Sequence, residues 1–73
     1  MANYVYQSEF ARKYIALGEA RGLADGVISV LAVRGLTISA EQRDRLFGND
    51  DPLLAGRWLD RAAEVDSADQ LFD

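Results

Sequence analysis

The chain has 73 residues, 49% hydrophobic and 27% charged, with a formal net charge of −4, one Pro, and neither Cys nor His. Those values allow one small domain and exclude disulfides, Cys or His zinc sites, and a catalytic triad built on His or Cys. The acidic balance argues against direct nucleic-acid binding, which draws on a basic patch.

A helical pattern opens at Asn3 or just after it and runs to Arg34 without Pro, so one long helix is expected over residues 4–34. Gly35 supplies the stop, and Arg34 suits the negative end of that helix's dipole. Within it, Gly18, Gly22 and Gly26 recur at intervals of four. Each interior Gly costs about 1 kcal/mol against Ala, so a packing reason is expected. The row extends to a stripe of Ala11, Ile15, Gly18, Gly22, Gly26, Ser29 and Val33. Its mean step of about 3.67 residues gives a straight or slightly right-handed seam. A second stripe holds Ala16, Ala20, Leu23, Val27, Val30 and Leu31. A third holds Tyr6, Phe10, Leu17 and Ile28, with Tyr14 at its edge. A helix apolar on several sides is surrounded by other helices.

After an extended connector, Ser39 to Gln42 matches a capping box opening a helix at 40–47, closed by Gly48. Asn49-Asp50-Asp51 reads as a turn with Asp51 as N-cap and Pro52 in the first helical position. It lacks the alternating order and distal Glu of an EF-hand, so no metal is assigned. The next helix is expected over 52–65, with Leu54, Ala55, Trp58, Leu59, Ala62 and Val65 on one face. Trp58 reads as core, and Asp60 with Glu64 as a solvated face. Ser67 to Gln70 matches a second capping box, opening a final turn at 67–72.

Folded back, the short helices reach residues 23–33 of the long one and leave 4–22 uncovered. An apolar overhang of that size marks an interface. Residues 3–22 are therefore expected to be an intermolecular helix segment, and 23–73 its helical cap. Tyr6, Phe10, Ala11, Tyr14, Ile15, Gly18, Gly22 and Gly26 are the expected contacts with a second copy. The glycines cannot cradle a phosphate, because no strand precedes them.

Tyr4-x-Tyr6-x-Ser8-x-Phe10-Ala11-x-x-Tyr14 and the following glycine row resemble the C-terminal region of actinobacterial Rpn/YhgA-like transposase or PD-(D/E)XK nuclease proteins. Arg34-Gly35-Leu36-x-Ile38, Arg43-x-Arg45-Leu46, Trp58-Leu59-x-Arg61-Ala62, Ser67 and Leu71-Phe72 extend the resemblance along nearly the whole chain. It implies a helical tail following a catalytic domain. The nuclease motif itself is absent, because the one Lys, Lys13, has no acidic residue two positions before it.

The expected protein is all-α and non-catalytic, a homo-oligomerisation module, as a dimer, without cofactor, metal or membrane partner. The alternative is an accessory nuclease tail that pairs catalytic domains on DNA. The longest apolar run, 26–33, is far short of a membrane span, and no signal-peptide order opens the chain, so a cytoplasmic location is expected.

Overall fold

The computed structural model describes residues 2–73, with side chains from Glu9 onward. It is all-α, and the described residues contain no strand. Helix α1 spans Ala2–Val33, α2 Ala40–Phe47 and α3 Pro52–Ala62; a final 3₁₀ turn, η1, spans Ala68–Phe72. No helix among the described residues is long and apolar enough to cross a membrane.

Helix α1 stops in a Schellman motif. The Leu36 N–H donates to Leu31 O at 2.8 Å and the Gly35 N–H to Ala32 O at 3.0 Å. Gly35 takes φ +72°, a conformation that a side chain disfavours. The Arg34 side chain does not serve its own helix end, as expected, but reaches across the fold. Its Nη1 donates to Ala62 O at 2.7 Å and Val65 O at 2.6 Å.

The Ser39 capping box forms in both directions. Gln42 N–H donates to Ser39 Oγ at 3.0 Å, and Ser39 N–H to Gln42 Oε1 at 2.9 Å. The same Gln42 side chain donates from Nε2 to Asp69 Oδ1, tying α2 to η1. Asp51 caps α3 by accepting from Leu53 N–H at 3.0 Å. The Asn49 side chain brackets that cap, accepting from Asp51 N–H at 3.1 Å and donating to Asp51 O at 2.8 Å.

Two expectations need correction. Helix α3 ends at Ala62, not Val65. Glu64 and Val65 both donate to Arg61 O at 2.9 Å, and Arg34 takes the Ala62 and Val65 carbonyls, so Val65 turns inward. The Ser67 capping box does not form. Gln70 N–H, which the Ser67 hydroxyl would take, closes a 3₁₀ turn on Ser67 O at 3.2 Å. The Gln70 side chain instead accepts from Asp66 N–H at 2.7 Å.

The core joins all four elements. Ala20, Ala24, Val27 and Leu31 of α1 are buried with Leu46 of α2, Ala55, Trp58 and Ala62 of α3, and Ala68 and Leu71 of η1. Trp58 is 5% exposed and meets Phe72 edge-on, ring centroids 5.3 Å apart, as its core assignment requires. Helix α1 packs chiefly on α3. The second stripe turns inward, joined by Ala24: its Ala20, Val27 and Leu31 are buried and its Ala16, Leu23 and Val30 half-buried.

Candidate self-association surface

Helix α1 is about 48 Å long at ~1.5 Å per residue, whereas α3 is only about 16 Å. The Cα extents of 51 × 20 × 20 Å follow from that mismatch. The cap nevertheless reaches further back than residue 23. Ala20 is fully buried, Ala16 and Leu17 are half-buried, and Lys13, Ala16 and Leu17 share a shallow cleft with Asp50, Asp51 and Pro52. The expectation of an uncovered segment through residue 22 is thus corrected on this face. The α2–α3 turn supplies the extra cover, because Asn49 and Asp51 fold it compactly against α1.

On the other side α1 is open. Ala11, Ile15, Gly18, Gly22, Ser29 and Val33 are all exposed. Phe10 is 51% exposed, Tyr14 62% and Ile15 59%, which puts three large apolar side chains at the surface within six residues. Phe10 and Tyr14 pack edge-on with ring centroids 4.8 Å apart. A Cβ added to Gly18 or Gly22 would meet nothing within 4 Å.

Gly26 leaves the row. A Cβ there would lie 3.4 Å from Leu59 Cδ1 and 3.6 Å from Cδ2, ordinary contact distances, so Gly26 faces α3 of its own chain. Its expected place in an intermolecular seam is corrected accordingly. The Tyr6 side chain lies outside the described residues.

Of Arg43, Arg45, Arg57 and Arg61, the arginines that α2 and α3 could offer to phosphates, three have contacts within the chain. Arg43 lies over the Phe47 ring at 5.6 Å and Arg45 over Phe72 at 4.5 Å. Arg61 donates to Gln70 O at 2.9 Å. Asn49-Asp50-Asp51 serves the α3 cap, as read from the sequence.

The charges divide unevenly. Residues 1–25 carry Glu9, Glu19 and Asp25 against Arg12, Lys13 and Arg21, so the entire net charge of −4 falls on residues 26–73. The open face therefore lies on an electrically balanced segment.

No family model, curated protein or solved structure matches the chain. The resemblance to Rpn/YhgA-like proteins rests on the motif residues alone.

Proposed function

We propose that this chain is a non-catalytic self-association module whose contact surface is the open face of α1. The observation that carries the proposal is the exposure of Ile15, flanked by Tyr14, beside Gly18 and Gly22, on a helix that outruns its own cap. Contiguous apolar surface of this kind marks an interface. A second copy of the chain is the occupant of choice for two reasons. The segment is charge-balanced, so two copies meet without net repulsion. A 73-residue chain without Cys also has a small core, and oligomerisation is a common reinforcement for such chains.

Sedimentation velocity on the full chain at tens of micromolar tests the proposal. A species of twice the monomer mass that dissociates on dilution is expected. A monomer across that range refutes it.

A further inference from the structure

Building on the self-association reading, we infer that the second copy lies antiparallel on the Ile15 face of α1, about a two-fold axis between Ile15 and Ala16, with Arg12 of each copy facing Glu19 of the other.

At about 100° per residue, Ala11, Ile15, Gly18 and Gly22 fall within an arc of about 60° on α1. Arg12 and Glu19 border the same edge of that arc, two turns apart, and both are exposed. Glu19 has no basic residue three or four positions away on its own helix. In an antiparallel pair, like edges meet. One two-fold axis midway between positions 12 and 19 therefore brings Arg12 opposite Glu19 twice. A parallel pair sets this edge against the other flank, with Glu19 about 3 Å along the axis from Arg21 of the other copy, but Arg21 already has Asp25 four residues on in its own helix, and Arg12 would then face Tyr14.

The side chains of the two faces also fit at this register. The axis chosen by charge places residue i of one copy level with residue 31 − i of the other. Ala11 then falls midway between Gly18 and Gly22 of the second copy, about 3 Å along the axis from each at ~1.5 Å per residue. Ile15 lies about 1.5 Å along the axis from Ile15 of the second copy, so the two isoleucines pack on each other across the two-fold, with Gly18 of each copy about 3 Å further along. The open space at Gly18 and Gly22 gives the room this needs.

The cap is compatible with this arrangement. Ala20, Ala24, Val27 and Leu31, which bury against the cap, are centred about 180° from the Ile15 face on the same helical wheel. Over residues 11–22 the second copy meets none of that buried set, and beyond them it passes the Leu59 side chain that lies on Gly26.

The absence of native Cys makes the geometry directly testable in the full chain. Under mild oxidation an Ile15→Cys variant is expected to form a covalent dimer, because position 15 sits beside the axis. A Gly22→Cys variant is not, because its two copies lie about 20 Å apart along the axis. Arg12→Glu and Glu19→Arg are each expected to weaken dimerisation about tenfold by placing like charges together twice, and combining them to restore it. Circular dichroism follows the helical content of every variant. A covalent dimer from Gly22→Cys, or a double swap that fails to recover affinity in a chain that still dimerises and stays helical, overturns the antiparallel register and leaves self-association standing. A wild-type chain that sediments as a monomer overturns both.

Discussion

Arg34 and Ala62 fasten the C-terminal ends of α1 and α3 together: the guanidinium Nη1 lies 2.7 Å from the Ala62 carbonyl oxygen and 2.6 Å from that of Val65. Ala62 O is a carbonyl left unpaired where α3 ends and Val65 O lies in the turn that follows, and a cation there also opposes the negative end of the helix dipole. Replacing Arg34 with Gln is expected to destabilise the fold by about 1–3 kcal/mol. The midpoint of thermal unfolding by circular dichroism, compared with wild type, checks this. An unchanged midpoint would mean that the two hydrogen bonds contribute nothing net.

The glycine row yields two variants with opposite signatures. Gly22→Leu places a side chain in open space on an exposed helical surface, so fold stability should hold or rise, by up to about 1 kcal/mol from helix propensity. The same side chain should weaken self-association, because it fills the room left for the second copy. Gly26→Leu should instead lower the melting midpoint, because its extra bulk is driven into Leu59. Parallel melting and sedimentation experiments separate the two effects.

The two Ser residues with capping-box spacing should also behave differently. Ser39→Ala removes a formed cap and should cost about 0.5–2 kcal/mol. Ser67→Ala removes a hydroxyl that makes no cap and should change stability by less than about 0.5 kcal/mol. Urea titration of the pair measures both. Equal losses would contradict the 3₁₀ closure at Gln70.

Trp58 stands where α3 meets η1, buried and edge-on to Phe72, with Arg45 over the Phe72 ring. Trp58→Ala is expected to cost about 3–5 kcal/mol through lost burial and the cavity left behind. In a chain this small that consumes much of the stability available. Loss of cooperative melting in the variant is the expected result.

The local signals were legible along the chain because each is satisfied within a few residues. Ser39 and Gln42 close on one another, Asp51 takes the Leu53 N–H, and Gly35 supplies a left-handed turn; none of these needs a distant partner. The overhang was legible too, from the mismatch in helix lengths, although its extent on the cap side was not. That required the α2–α3 turn to lie against Lys13, Ala16 and Leu17.

Tertiary packing settled which side of α1 faces inward. Three apolar stripes compete on that helix, and spacing alone ranks none above the others. Ala20, Ala24, Val27 and Leu31 form the side that α2, α3 and η1 cover, whereas the glycines have no side chain to remove from water, and Leu17 and Ile28 of the third stripe end half-buried at the edge of the cap. Packing also assigned Gly26 to Leu59, ended α3 at Ala62 by supplying Arg34, and closed Gln70 on Ser67 through the backbone. Each of those outcomes depends on a group brought from another element or on a winding that propensity does not specify. The face left open, from Ala11 to Val33, is what remains after these contacts are made.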